Sequence, residues 1–285
     1  MTERSDKDIS EIRSLIKLLD DDDERIFDAA RVRLLQHNDS VLPYLPDVVE
    51  NESIVSKRIT QIRETILRNV YKDQFRNLKK EPSGDFDLEA GVFLIAKQHY
   101  VDLDINYYST LLNDYAAELK EKLSSVGDHT EIMRRTIAFF AEEKGFAGNK
   151  HDYYNEQNHY INKVLESKIG IPISLSIIYL LVGKRINLPI RGIGLPGHFT
   201  LRFSFGSTNV YFDPFNAGKI LSIDDCKEMV KNLGFTYTED YLKPVSNMQI
   251  LERSLRNIIL SLEKKEETER IETIRQFIDS ISYNT

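Results

Sequence analysis

Between residues 198 and 213 the chain alternates apolar and polar side chains, and this period of two commits the segment to a β-hairpin. Phe199, Leu201, Phe203 and Phe205 alternate with His198, Thr200, Arg202 and Ser204, which predicts a strand with one apolar and one polar face. Gly206-Ser207 reads as a two-residue turn of the Gly-X type, and Asn209, Tyr211 and Asp213 alternate with Val210 and Phe212 in the returning strand. A two-residue turn sets Thr200 opposite Asp213 and Leu201 opposite Phe212, a register that gathers the apolar residues on one face. Asp213 and His198 are then diagonal neighbours on the polar face, roughly 5.5 to 8 Å apart at the backbone and within side-chain reach.

Everything before residue 150 reads differently. Ile9, Ile12, Ile16 and Leu19 recur at helical steps, and an acidic turn at residues 20–23 leads into a second helix carrying Phe27, Ala30 and Leu34. Such a pair resembles a HEAT-type hairpin, although no second copy with a fixed period follows. Residues 53–79 predict another helix, and Glu81-Pro82-Ser83-Gly84 predicts a break. Leu88, Val92, Ile95 and Ala96 mark a further helix, as do Leu111, Leu112, Tyr115 and Leu119, with two more expected over 129–146 and 153–168. Seven of the 13 glycines and four of the eight prolines fall within 153–222, which concentrates turns and short strands there. Pro172 suits the first turn of a helix whose body, residues 175–185, is apolar on nearly every side and therefore buried. After Pro244 two helical stripes follow, Ile250, Leu251, Leu255, Ile258 and Ile259, then Ile271, Ile274, Phe277 and Ile278.

Composition narrows the function classes. Hydrophobic residues at 41% and charged residues at 29% suit an ordinary globular chain. The charge-free stretch at residues 170–183 falls short of the roughly 20 apolar residues a bilayer requires, and residues 1–12 carry charges throughout. Neither a membrane span nor a secretory signal is expected. The single cysteine, Cys226, rules out an internal disulfide and any Cys-rich zinc site, and points to a reducing cytoplasm. It follows a capping-box-like helix start, Ser222-Ile223-Asp224-Asp225, and reads as a buried helix residue. His151 and His159 lack a neighbouring carboxylate at helical spacing, so no metal and no other cofactor is expected. Residues 153–222 carry seven basic and three acidic side chains in a chain of net charge −7; the scattered charge argues against nucleic acid, which requires a basic stripe.

Several motifs in order resemble the transglutaminase-like superfamily: Gly170-Ile171-Pro172 with the apolar helix after it, Asn187-Leu188-Pro189-Ile190-Arg191, His198 heading one strand and Asp213-Pro214 closing the next. More narrowly, residues 170–176 (GIPISLS), 194–199 (GLPGHF) and 213–218 (DPFNAG) resemble the SirB family. So do Asp87-Leu88-Glu89-Ala90 upstream and Ile250, Leu251, Arg253, Leu255 and Asn257 downstream. The resemblance implies an α+β protein with a papain/transglutaminase-like core and a small antiparallel sheet over residues 85–243. A HEAT-like helical scaffold over 1–84 and a tetratricopeptide-like helical pair over 244–285 flank it.

The superfamily carries out acyl transfer at amide bonds, with Cys as nucleophile, His as base and Asp as orienter. The resemblance assigns the base to His198 and the orienter to Asp213, and sets Pro172 in the cysteine slot, so the nucleophile is missing. A thiolate forms far more readily than an alkoxide, which makes this loss severe. Ser174 is the nearest hydroxyl, and it has three readings: a cap for its own helix, a substitute nucleophile, or a ligand contact. Tyr154, Asn158 and Asn162 are candidates for lining a cleft beside His198, with packing of the helix against the sheet as the alternative, and Arg202 is placed to hold a carboxylate. The expected function is a pseudoenzyme that binds a protein or peptide, with an amide-directed hydrolase or acyltransferase using Ser174 as the alternative. Nothing in the sequence selects an oligomeric state.

Overall fold

The structure is a computed structural model that describes residues 6–46 and 53–282. These fall into two compact units that divide between Asn77 and Leu78. The turn at residues 81–84, read above as a break, lies inside the second unit, where Lys80 and Phe86 bridge across it.

The first unit is helical: α1 (Asp6–Lys17), α2 (Glu24–Gln36) and α3 (Ile54–Arg76). The Asp23 carboxylate accepts the Arg25 amide hydrogen and the Ser53 hydroxyl accepts that of Ser56, so α2 and α3 each start on a side-chain cap. Ile12, Leu19, Phe27, Ala30, Leu34, Ile62 and Ile66 form its core. Arg58 lies with its guanidinium 4.1 Å from the Phe27 ring centre. It donates to the carbonyls of Leu19 (3.0 Å) and Asp21 (2.9 Å), closing the acidic turn that joins α1 to α2.

The second unit begins with α4 (Leu88–Lys97), α5 (Ile105–Leu123) and α6 (His129–Ala138). It continues through β1 (Ala147–Gly148), α7 (Ile161–Ser167), β2 (Ile169–Gly170) and α8 (Pro172–Arg185). A sheet follows, made of β3 (Ile190–Leu195), β4 (His198–Phe205), β5 (Thr208–Asp213) and β6 (Lys219–Leu221). The unit closes with α9 (Ile223–Asn232), α10 (Asn247–Glu263) and α11 (Thr268–Ser282). This α+β arrangement carries a four-stranded antiparallel sheet in the order β3-β4-β5-β6 beside a small parallel pair, β1-β2.

The hairpin forms in the register read from its alternation, with Leu201 opposite Phe212 and Phe205 opposite Thr208 about a turn in which Gly206 holds a φ of +59°. One face of the sheet lies on α8: Phe212 packs against Tyr179 at 5.7 Å between ring centres, and Phe203 against Phe212 at 5.9 Å. The opposite face, predicted to be polar, is also covered. Ile193, Leu195, Tyr211 and Leu221 share it with His198 and Thr200 and pack against Cys226 and Val230 of α9, leaving Thr200 fully buried. The alternation of β4 alone did not weigh the apolar residues that β3 and β6 add to the same face.

Two helical expectations are corrected. The helix expected over 129–146 ends its α-helical part at Ala138 and widens into a π turn, Phe139–Glu143. The helix expected over 153–168 is two pieces, a 3-10 turn at Glu156–His159 and then α7. Asn155 accepts the Gln157 amide hydrogen, and Asn158 donates to the carbonyls of Asp152 (2.7 Å) and Tyr153 (3.1 Å). Asparagine side chains that bind nearby backbone compete with a helical ladder.

Candidate functional site

Asp213 ends β5 and at once caps the 3-10 turn Pro214–Asn216, so its carboxylate is fixed from several sides. Oδ1 accepts the Phe215 amide hydrogen at 2.9 Å. Oδ2 accepts from the Asn216 amide at 2.7 Å and faces His198 Nε2 at 2.9 Å. Asp213 is 1% exposed. Burial alone would raise its pKa, and the hydrogen bonds and charge of His198, with Asn216 and the Phe215 amide, reverse this and hold the carboxyl below its ordinary value. An ionised carboxylate only accepts, so the proton in the 2.9 Å contact belongs to His198 Nε2. In the neutral ring Nδ1 is then a bare lone pair; it makes no hydrogen bond among the described residues. The Phe215 ring stands edge-on to the imidazole at 6.3 Å, and the His198 carbonyl accepts a hydrogen bond from Arg253 of α10 at 2.7 Å.

Ser174 lies three residues into α8 and serves the start of its own helix. Its Oγ accepts the Ile171 amide hydrogen at 3.0 Å and donates to the Asn158 carbonyl at 2.7 Å, with the residue 2% exposed. Donor and acceptor are both engaged, and no hydrogen bond to His198 exists among the described residues. Pro172, the first residue of α8, is buried as well, and the Ser176 hydroxyl donates to its carbonyl at 2.7 Å. Cys226 is fully buried, and burial pushes its thiol up to about 11, far from a reactive thiolate.

The four binding candidates separate. Asn158 is 4% exposed and Asn162 2% exposed, so their side chains are part of the packed wall rather than a cleft lining. Tyr154 is exposed, with the Lys264 ammonium 4.9 Å from its ring centre. Arg202 is partly buried on the α9 side of the sheet, where its Nη1 donates to the Leu242 carbonyl at 3.4 Å. Two residues not proposed as binding from the sequence lie against His198, Phe215 at its ring and Arg253 at its carbonyl, and Tyr153 stands 5.9 Å from the Phe215 ring. The Asp-Pro-Phe-Asn run, with Asn216 three residues after Asp213, was the available signal for the first of them. Among the described residues no group of three or more His, Cys, Asp or Glu is placed to hold a metal, and no helix is long and apolar enough to cross a membrane.

The family description of the transglutaminase-like superfamily matches residues 106–256, more than half of the chain and the whole of the sheet with its His-Asp pair. The chain belongs to this superfamily. The chain is 33% identical over 177 residues to a UPF0162 protein of Xylella fastidiosa strain 9a5c, covering 60% of this chain and 63% of that one. With the UPF0162 protein of Xylella fastidiosa strain Temecula1 it is 32% identical over 190 residues, covering 65% of this chain and 68% of the relative. F-box only protein 21 of Mus musculus is 35% identical over 129 residues, which are 42% of this chain and 20% of that much longer protein. The chain therefore spans less than two thirds of the first of these relatives. No solved structure matches.

Proposed function

We propose that this protein is a non-catalytic, SirB-like member of the superfamily, a protein- or peptide-binding module that keeps His198 and Asp213 without a nucleophile. The observation that carries this reading is the Ser174 hydroxyl, which is buried, accepts the Ile171 amide hydrogen and donates to the Asn158 carbonyl. General-base activation requires a hydroxyl within hydrogen-bond reach of the base, and Ser174 directs both of its hydrogen-bonding functions elsewhere. Loss of the thiol leaves His198 Nδ1 as an acceptor for a ligand donor, and the aromatic rings of Phe215 and Tyr153 offer contact area around it. That a related stretch makes up a fifth of F-box only protein 21 supports a module that works inside larger chains. The buried, reduced Cys226 is consistent with the cytoplasm.

A fluorophosphonate serine probe decides between this reading and a serine amidase or acyltransferase. The expected result, read by intact mass, is no adduct on the wild type beyond that on Ser174→Ala. A stoichiometric adduct on Ser174 that disappears in His198→Ala would establish the enzyme instead.

A further inference from the structure

Arg253 is a partly buried charged group held against the backbone of His198 without an acid to neutralise it. It lies on the buried side of α10 and is only partly exposed. One Nη donates to the His198 carbonyl at 2.7 Å, and the guanidinium is 5.6 Å from the Phe199 ring centre. No carboxylate pairs with it among the described residues, and its other nitrogens make no hydrogen bond there. Burial is strong enough to lower its pKa, opposed by the neighbouring Tyr153 phenol. The Tyr153 hydroxyl is likewise without a hydrogen-bond partner among the described residues, while its ring packs toward Phe215 and thus toward His198.

A guanidinium keeps its charge at every relevant pH, and a desolvated charge with no counter-ion is costly unless an anion completes the site. Arg185 pairs with Glu89, and Arg270 with Glu156 and Glu267, whereas Arg202, also partly buried, reaches the Leu242 carbonyl and, like Arg253, no carboxylate among the described residues. We infer that Arg253, with the Tyr153 hydroxyl, anchors a carboxylate on the ligand that occupies the cleft beside His198. A guanidinium presents a planar fork that matches the two oxygens of a carboxylate, and one positive charge balances one negative charge; a phosphate, at about −1.5 to −2, would exceed it. The carboxylate is either the C-terminus of a peptide or an Asp or Glu side chain. The assignment rests on the binding-module reading, because it supposes that a ligand enters the cleft.

The test is an NMR titration of the full chain that follows the Arg253 Nε–H and the His198 and Phe199 amides. Three probes separate the sources: N-acetylalanine with a terminal carboxylate, N-acetylaspartic acid α-amide with a side-chain carboxylate, and N-acetylalaninamide with neither. The expected result is saturable shifts with one or both carboxylates, none with the neutral amide, and the tighter of the two names the source. In Arg253→Gln the carboxylate affinity falls at least about tenfold, the loss of a charge-assisted fork. Equal responses to all three probes, or none at the highest concentration, would overturn the anchor on the wild type alone, whether or not the variant folds. Carboxylate-dependent shifts in a protein whose Ser174 is labelled by the fluorophosphonate would support the anchor and overturn only the non-catalytic reading.

Discussion

Replacing Glu156 with alanine is expected to destabilise the second unit by about 3–5 kcal/mol, the range for breaking a buried ion pair by removing one partner. Glu156 is 7% exposed in the 3-10 turn ahead of α7. It accepts from the Tyr160 hydroxyl at 2.6 Å, from Lys265 at 3.1 Å and from both terminal nitrogens of Arg270. Arg270 also donates to His99 Nδ1 at 3.0 Å, and the His99 ring stacks on Tyr160 at 4.9 Å. One carboxylate thus holds the 153–160 segment to α11 and to the end of α4. Its removal leaves two cations and a phenol facing each other; Lys265 and Arg270 are partly exposed and can turn outward, which places the loss toward the lower end of the range. Burial would raise the Glu156 pKa, and the Arg270, Tyr160 and Lys265 hydrogen bonds reverse this and hold it at about 2. A depressed carboxylate contributes stability that is complete above its unfolded value, near 4.5, and is lost as pH falls through about 2. Urea midpoints should therefore separate wild type from Glu156→Ala widely at pH 7, with the gap closing below pH about 4.5. A gap that is constant with pH would show that the carboxylate charge is not what holds the turn.

Asp213→Ala is the second large effect, with an expected loss of about 2–4 kcal/mol from leaving buried donors without an acceptor. The Phe215 amide, the Asn216 side chain and His198 Nε2 all donate to this carboxylate. Asp213→Asn keeps an acceptor for the Phe215 amide and loses the charge, so its cost should be smaller. Because the folded pKa lies below the unfolded one, the Asp213 contribution is present above the ordinary value near 3.8 and disappears on acidification below it. Thermal midpoints of the two variants at neutral pH rank them: alanine well below asparagine, asparagine below wild type. Equal midpoints for all three would mean that the carboxylate holds neither the turn nor the imidazole.

The hairpin was legible because its signal is local. A period of two, a Gly-X turn and one consistent apolar face fix the register of β4 and β5 without knowledge of the rest. Strand β3 was not, since Gly192 and Gly194 leave gaps in any alternation of apolar and polar side chains. In the fold Gly192 lies beneath the Phe199 ring, where an added Cβ would come within 2.7 Å of the ring edge, so the glycine is selected by a neighbour in the next strand. The His198-Asp213 pair followed from register, whereas the cover over its face followed from β3, β6 and α9 together, which no single segment announces. Asn158 and Asn162 sit in a stretch rich in polar and aromatic residues, a composition shared by clefts and by walls tied together through backbone hydrogen bonds; burial decides between the two. Arg253 entered the sequence reading only as one letter of a resemblance, because the absence of a counter-ion is a property of space and not of order along the chain.

The state of the His198 imidazole tests the pairing and the missing nucleophile together. Nitrogen-15 NMR of the neutral ring should give the Nε2–H tautomer in the wild type, lost or mixed in Asp213→Ala, with a Nδ1 resonance that Ser174→Ala leaves unchanged. A Nδ1–H ring indifferent to Asp213, or a Nδ1 resonance that moves when the Ser174 hydroxyl is removed, would contradict an imidazole held by its carboxylate and left without a group to activate.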